Sequence, residues 1–158
     1  MGHHPTSHLS PRKRALLEKN LRDSLTLTRS SIKGAGKGVF ATQDLPKGFQ
    51  IPYFGKLYRG KWKDIEPFIT DFTYVFHDEE EAYVIDAHPR FNRCASNFGF
   101  RINEPPRGKR PNSAFKTSTK WASLIAPISI VLTKSVKAGE EIWVDYGSEY
   151  DRSDYVRK

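Results

Sequence analysis

Tyr146 has the side chain best suited to chemistry in this sequence, because its phenol lies near the end of a stretch at residues 139–147 that is rich in β-formers. The apolar residues at 142–144 predict a buried strand, and Gly147 predicts a turn directly after the phenol. A phenol at a strand end can donate or accept a hydrogen bond at a reacting group. Taken alone, however, the stretch favours a half-buried core tyrosine.

Three glycines at alternate positions, Gly34, Gly36 and Gly38, lie directly before a predicted strand. Glycine has no Cβ, so a ligand can approach the backbone of such a loop closely. The loop is not of the Walker type, because Gly-Lys-Ser/Thr is missing, and it is not a Rossmann fingerprint, because no helix follows and the glycine spacing differs. By itself the loop is equally well explained as a plain turn.

Amide and aromatic side chains alternate at residues 96–104, and similar residues follow at 111–115. This mixture suits a partly buried polar site with an apolar wall. A polar loop that covers the edge of the core explains the stretch equally well. The interpretation of each stretch therefore depends on the others.

Together and in this order, these stretches resemble the SET-domain protein lysine methyltransferases over about residues 29–150. The resemblance rests on five motifs. The first is the glycine run at 34–41, which is followed by Lys47-Gly48. The other four are Tyr53-Phe54-Gly55, the Tyr-x-Ile-Asp-Ala segment at 83–87, Asn103-Glu104 through Pro111-Asn112, and the closing stretch at 139–147. The order of five motifs is far more specific than any one of them.

The resemblance implies a mainly β fold with short helices, made of small sheets with a threaded, knot-like C-terminal segment. It also implies an enzyme that transfers a methyl group from S-adenosylmethionine to a lysine side chain of a protein and releases S-adenosylhomocysteine. In such an enzyme Tyr146 would be the catalytic residue. The implied cofactor-binding residues are Gly36, Lys37, Gly38, Asn103 and Glu104, the implied lysine channel is lined by Tyr53, Phe115 and Val144, and no metal is implied.

Methyl transfer requires a neutral lysine amine, although the pKa of the free amine is about 10.4. An apolar channel beside the sulfonium of the cofactor favours the uncharged amine through desolvation and charge repulsion. Tyr146 would orient this amine by positioning and electrostatics rather than act as a strong base. In the family, a tyrosine hydroxyl at the position of Phe115 or Val144 typically restricts the product to one methyl group. The two side chains present here therefore predict a product beyond monomethyl-lysine.

The sequence departs from the family pattern in several places. Glu104 replaces the usual His, the usual Arg-Phe order is reversed at 100–101, and an insertion rich in Pro and Arg precedes 111–112. Because the family contacts the cofactor there largely through backbone, cofactor binding is expected to survive. The cysteine-rich flanking segments of many histone methyltransferases are not visible, as in minimal forms from some viruses and microbes. Tyr150 or Tyr155 is therefore expected to close the site.

Short β-type runs split by Gly, Pro and Asp must position these motifs, and they predict a mainly β domain. The predicted strands are 27–31, 38–42, 50–54, 72–77, 83–87, 129–133 and 142–146. Pro52 predicts an edge strand or a bulge. A short helix is expected between residues 60 and 71, and the acidic run at 78–81 is expected to be a solvated turn.

The N-terminal part predicts a helix from Pro11 to about Thr26, with Ser10 as its cap and one leucine stripe. We expect residues 1–28 to be a basic extension that is dispensable for transfer to a short peptide, followed by a SET domain at 29–158. Within that domain we expect a short insert at about 56–75 and a closing segment at 148–158.

A length of 158 residues suits one domain, and no apolar run approaches the roughly 20 residues of a membrane span. The formal net charge of +8 and the pI of about 9.6 would draw the protein to nucleic acid or to acidic protein surfaces. The lone Cys94 is interpreted as a small buried hydrophobe. One cysteine and no visible targeting segment suit an intracellular protein, nuclear or cytoplasmic.

The expected partner is a protein with a reactive lysine, such as a histone tail or a ribosomal protein, with weak contact to nucleic acid through phosphates and none to membrane. One alternative is a catalytically silent SET module that binds a peptide or the cofactor, against which the presence of Tyr146 argues. The other is a small basic nucleic-acid-binding domain. Against that domain, no strand interleaves basic and aromatic residues as a base-stacking platform does.

Overall fold

The structure, a computed structural model, describes residues 10–70, 73–77, 81–88, 90, 96–117 and 128–147. The α-helices and strands in these residues are α1 (Pro11–Ser24), β1 (Leu25–Arg29), β2 (Lys37–Ala41), β3 (Gln50–Pro52), β4 (Lys56–Gly60), α2 (Trp62–Ile65), β5 (Thr73–His77), β6 (Ala82–Asp86), β7 (Ser113–Thr117) and β8 (Ile128–Leu132). Single turns of 3-10 helix lie at Glu66–Phe68 and Gly99–Arg101. The predicted mainly β fold with short helices is confirmed. Within the described ranges no helix is long and apolar enough to cross a membrane.

Helix α1 begins where Ser10 caps it, because the Ser10 side chain accepts a hydrogen bond from the Lys13 backbone N–H. The helix buries Leu21 completely and continues directly into β1, whose first residue Leu25 is also buried. Both leucines belong to the main core of the domain. We therefore expect removal of the helix to open that core, which argues against the sequence-based expectation that residues up to Thr28 are dispensable for transfer to a short peptide.

The strands form three small antiparallel sheets, in the orders β1-β2, β3-β8-β7 and β4-β6-β5. Strand β8 is central in its sheet and buries four of its five side chains, whereas β3 lies at the edge, as Pro52 predicts. Strand β6 is central in its own sheet and is buried throughout. The main core joins residues of all three sheets, and a second small cluster lies around Ile65 of α2.

The segment at 139–147 passes between two other parts of the chain. Trp143 pairs in parallel with Asn103, and Val144 pairs in parallel with Ser113. The Val144 N–H donates to the Asn103 carbonyl at 3.0 Å. The same segment also touches β2, because the Ile142 N–H donates to a β2 carbonyl at 2.8 Å. This is the threaded C-terminal arrangement that the resemblance implies.

Asn112 fastens the threaded segment with its side chain, which is buried. Its Nδ2 donates to the Glu141 carbonyl at 2.9 Å, and its Oδ1 accepts from the Trp143 N–H at 2.8 Å. The Trp143 carbonyl in turn accepts from the backbone N–H groups of Asn112 and Ser113. One asparagine therefore satisfies backbone groups two residues apart on the passing strand.

Several sequence-based boundaries were wrong. Residues 142–146 make isolated bridges rather than a regular strand, because the segment contacts a different neighbour at almost every residue. Strands β4 and β7 were not predicted. The short helix expected between 60 and 71 is present as α2, and it gives way to a 3-10 turn that contains Pro67, whose nitrogen cannot donate a helical hydrogen bond. The predictions for Cys94, 78–80, Tyr150 and Tyr155 lie outside the described residues.

Candidate active site

Tyr146 lies at the end of the threaded segment, half-buried against the main core. Its hydroxyl donates a hydrogen bond to the Ile102 carbonyl at 2.7 Å. Because the proton of the hydroxyl is committed to that carbonyl, the lone pairs of the phenol oxygen face other groups. Ile102 directly precedes the predicted cofactor residue Asn103, so this hydrogen bond connects the phenol to the segment that carries Asn103.

Glu104, which replaces the usual His, is buried and lies beside Tyr146. Its Oε2 accepts a hydrogen bond from the Tyr146 backbone N–H at 3.2 Å. The Glu104 side chain thus holds the backbone of Tyr146, and the Ile102 carbonyl holds its hydroxyl. The departure at 104 is accommodated by a contact that a carboxylate, an acceptor with two oxygens, can make.

Asn103 joins the glycine-rich loop to the threaded segment. Its Nδ2 donates to the Lys37 carbonyl at 3.0 Å and also lies 3.3 Å from Glu141 Oε1. The Lys37 side chain is exposed, so its backbone makes the contact within the described structure. The structure therefore brings together Lys37 and Asn103, two of the residues that the resemblance implies for the cofactor site.

The glycines of the loop serve two different purposes. Gly36 has a φ of +71°, and a Cβ there would meet no atom within 4 Å, so the space beside it is open. Gly38 is buried, and a Cβ there would collide with the carboxylate of Glu141 and lie 3.1 Å from Asn103 Nδ2. Gly38 therefore permits the close approach of the carboxylate rather than an unusual backbone conformation.

A cleft of about 690 Å³ opens beside this loop. Its lining combines small polar and basic side chains with the glycine backbone, in residues Arg29, Ser30, Ser31, Ile32, Lys33, Gly34, Gly36 and Lys37. Three of the lining residues, Arg29, Lys33 and Lys37, carry a positive charge, which suits a ligand that carries a carboxylate. This chemistry differs from that of the aromatic side of the site.

Three aromatic rings form the apolar side of the site. The ring centroids of Tyr53 and Phe115 are 6.2 Å apart, and Tyr74 of β5 lies 6.3 Å from Tyr53 and 4.4 Å from Phe115. Burial raises the pKa of the Tyr74 phenol above its ordinary value of 10.0, so this phenol is protonated at neutral pH. Tyr74 thus brings a neutral hydroxyl to a cluster that the sequence predicts from Tyr53 and Phe115.

Val144 is completely buried in the main core, which also contains Tyr53. Tyr74, Phe115 and Tyr146 all pack against that same core. The predicted channel residues and the predicted catalytic residue therefore all lie in or against the main core of the domain. Val144 pairs with Ser113, which lies two residues before Phe115 on β7.

Sequence reasoning missed Tyr74, Glu141 and the serines at 30 and 31. The Glu141 carboxylate accepts hydrogen bonds from Ser30 Oγ at 2.7 Å and from the Ser31 N–H at 3.0 Å. Tyr74 had a usable signal, because it lies in a predicted strand two residues from another aromatic. The serines had none, since they come 110 and 111 residues before their partner in the chain.

Comparison with protein families finds that the model of the SET domain matches residues 36–147, a range that contains every predicted site residue. A comparison with curated protein sequences found no significant match.

Among solved structures, the fold is similar to the methyltransferase domain of human PR domain-containing protein 2. The TM-score is 0.57 at 20% identity, over 97% of this chain and 95% of that one. It is also similar to a humanized mutant of the Chaetomium thermophilum Polycomb Repressive Complex 2 bound to an inhibitor. There the TM-score is 0.56 at 22% identity, over 81% of this chain but 15% of that one. At such identities these likenesses describe the fold.

Proposed function

Because this chain belongs to the SET-domain family, we propose that it is a protein-lysine N-methyltransferase that uses S-adenosylmethionine. The observation that carries the proposal is the hydrogen bond from the Tyr146 hydroxyl to the Ile102 carbonyl, one residue from Asn103. It links the candidate catalytic phenol to the candidate cofactor site through adjacent residues of one segment.

The residues around the loop suit S-adenosylmethionine. The open space beside Gly36 leaves room for a ligand against the backbone, and the basic residues of the cleft complement a carboxylate. With its Nδ2 held by Lys37 and Glu141, Asn103 has its Oδ1 to accept a hydrogen bond from an ammonium group. When bound, S-adenosylmethionine supplies an electrophilic methyl group on a sulfonium.

The aromatic side of the site would receive the substrate lysine. Rings at Tyr53, Tyr74 and Phe115 surround the aliphatic part of a lysine with apolar surface, which disfavours the charged amine. The oxygen of Tyr146, whose proton is given to Ile102, then accepts a hydrogen bond from the neutral amine and fixes its direction of attack. In this mechanism the phenol positions the amine and need not remove a proton.

The substrate is proposed to be a lysine in a basic, accessible protein segment, such as a histone tail or a ribosomal protein. The product is proposed to extend beyond monomethyl-lysine, because neither Phe115 nor Val144 carries a hydroxyl. Tyr74 is the side chain that most directly opposes this proposal, since it brings a phenol within 4.4 Å of Phe115 between ring centroids. A product beyond monomethyl-lysine would indicate that the Tyr74 hydroxyl does not restrict the amine, whereas a product limited to monomethyl-lysine would indicate that it does.

The proposal is tested by incubating the protein with methyl-labelled S-adenosylmethionine and either histones or a cell lysate, followed by mass spectrometry of labelled proteins. Tyr146→Phe should nearly abolish transfer while cofactor affinity is preserved, because the variant loses only a hydroxyl. Tyr58→Phe is the matched control, since it removes a phenol hydroxyl from β4, away from the aromatic cluster. Turnover by Tyr146→Phe equal to that of the unmodified protein would remove Tyr146 from the mechanism, and no label in any protein would contradict the activity.

A further inference from the structure

Glu141 has the most heavily hydrogen-bonded carboxylate in the described part of the chain, and it is buried. Its Oε1 accepts from Ser30 Oγ and Asn103 Nδ2, and its Oε2 accepts from the backbone N–H and the hydroxyl of Ser31. Its own backbone is held by Asn112. Both ends of the residue are therefore fixed, one to the threaded segment and the other to the loop that precedes β2.

The hydrogen-bond donors to this carboxylate are all neutral groups. In the described ranges the ion pairs are Arg14 with Glu18, Lys19 with Asp23, and Arg59 with Glu81, and Glu141 takes part in none of them. Hydrogen bonds from hydroxyl, amide and backbone N–H groups satisfy a buried carboxylate only while all of these donors stay in place. The position of the loop and the burial of Glu141 therefore depend on each other.

Glu141 also determines which way the Asn103 amide faces. The Nδ2 of Asn103 lies between two acceptors, the Lys37 carbonyl and Glu141 Oε1, at 3.0 and 3.3 Å. Rotating the amide by half a turn would put Oδ1 against both oxygens, which is electrostatically unfavourable. The carboxylate thus directs the Asn103 oxygen away from the loop. Gly38 makes the arrangement possible, because any side chain there would occupy the place of the carboxylate.

We propose that Glu141 is a positioning residue for S-adenosylmethionine, which holds the loop at 30–37 and turns the Asn103 oxygen toward the ammonium group of the cofactor. This inference rests on the proposed function and adds to it a residue that touches neither the cofactor nor the substrate lysine. Its effect is exerted through Asn103 and through the backbone of the loop. A residue with this role controls cofactor affinity more than the chemical step.

Glu141→Gln is the decisive variant because it keeps the size of the side chain and changes one oxygen to an NH₂ group. In one orientation that NH₂ faces Asn103 Nδ2, and in the other it faces the Ser31 backbone N–H, so a donor meets a donor in both. Glu140→Gln is the matched control. It removes the same charge one residue earlier from a side chain that is exposed.

The experiment measures S-adenosylmethionine binding by calorimetry, amide hydrogen exchange, and KM and kcat for the cofactor in the full chain. We expect Glu141→Gln to raise the Kd about tenfold or more, the loss typical of a hydrogen bond involving a charged group. The KM for the cofactor should rise in parallel, with kcat at saturation changed much less. Exchange at the Ser31 and Ile32 amides should accelerate, whereas the Leu45 amide, which donates to Val136, should be unaffected.

A Kd for Glu141→Gln equal to that of Glu140→Gln would overturn the inference and leave the proposed function intact. If Glu141→Gln does not fold, the double variant Ser30→Ala with Ser31→Ala decides. Weaker cofactor binding by that variant would support the inference, and unchanged binding would refute it. If the unmodified protein binds no S-adenosylmethionine, the proposed function fails and this inference fails with it.

Discussion

Asn112→Ala should destabilise the protein strongly although it removes only a small polar side chain. The Asn112 amide contacts two backbone groups of the threaded segment, the Glu141 carbonyl at 2.9 Å and the Trp143 N–H at 2.8 Å. Alanine at this position leaves both groups without these partners. Because Asn112 is only 5% exposed, water does not readily replace the lost amide.

The expected cost follows from the number of partners lost. A buried donor or acceptor left without a hydrogen bond costs about 1–3 kcal/mol, so the two together cost about 2–6 kcal/mol. Total stabilities of domains are about 5–15 kcal/mol, so this loss is a large share. For a chain of this size it corresponds to a decrease in Tm of at least about 4 °C.

Asn97→Ala is the control that separates hydrogen bonding from burial. Asn97 is 7% exposed, close to the 5% of Asn112, but both polar atoms of its side chain are buried without a hydrogen-bond partner in the structure as described. Its replacement removes the same volume and no hydrogen bond. Urea unfolding of the two variants should therefore differ by at least about 2 kcal/mol. If they agreed within about 0.5 kcal/mol, the assignment of the Asn112 contribution to its two hydrogen bonds would be wrong.

Three further predictions concern the cofactor, the core and the product. Asn103→Ala should weaken S-adenosylmethionine binding by roughly 1.5–3 kcal/mol, measured by calorimetry, and an unchanged Kd would refute its role in cofactor binding. Leu21→Ala should lower the free energy of unfolding, measured in urea, by about 2–5 kcal/mol. Leu16→Ala, on the exposed side of the same helix, should change it by less than about 0.5 kcal/mol. Equal effects of the two substitutions would contradict the packing of α1. Phe115→Tyr should shift the product toward monomethyl-lysine in intact-mass measurements. If the unmodified protein already stops at one methyl group, the Tyr74 or Tyr53 hydroxyl sets the limit instead.

The site was predictable where its residues occur in local motifs. Gly36, Gly38, Asn103 and Tyr146 lie in short stretches whose composition and order carry the resemblance, and the structure brings Lys37 to Asn103 and Asn103 toward Tyr146. Glu104 stands where the family usually has His, and its side chain accepts a hydrogen bond from the Tyr146 backbone N–H. The motifs therefore contain residues that the structure places near one another, and the roles of these residues remain predictions.

The remaining features depend on contacts between distant residues. Glu141 lies in the closing motif at 139–147, but no role was predicted for it, because its hydrogen-bond partner Ser30 comes 111 residues earlier in the chain. Strand β7, Ser113–Thr117, contains small and polar residues that do not alternate clearly, and it is a strand because β8 pairs with it along its full length. Leu21 was assigned to an N-terminal extension, although it belongs to the main core.

The threaded segment also constrains the order in which the protein can fold. The contacts that hold Tyr146 and Trp143 reach back 44 residues to Ile102 and 31 residues to Asn112. Such a segment can take its place only after those earlier parts are available, so during synthesis the sheets precede the completed site. Contacts between residues far apart in sequence slow folding, because loop closure costs entropy before the contacts are gained. In refolding experiments, secondary structure should consequently return before the contacts of the threaded segment.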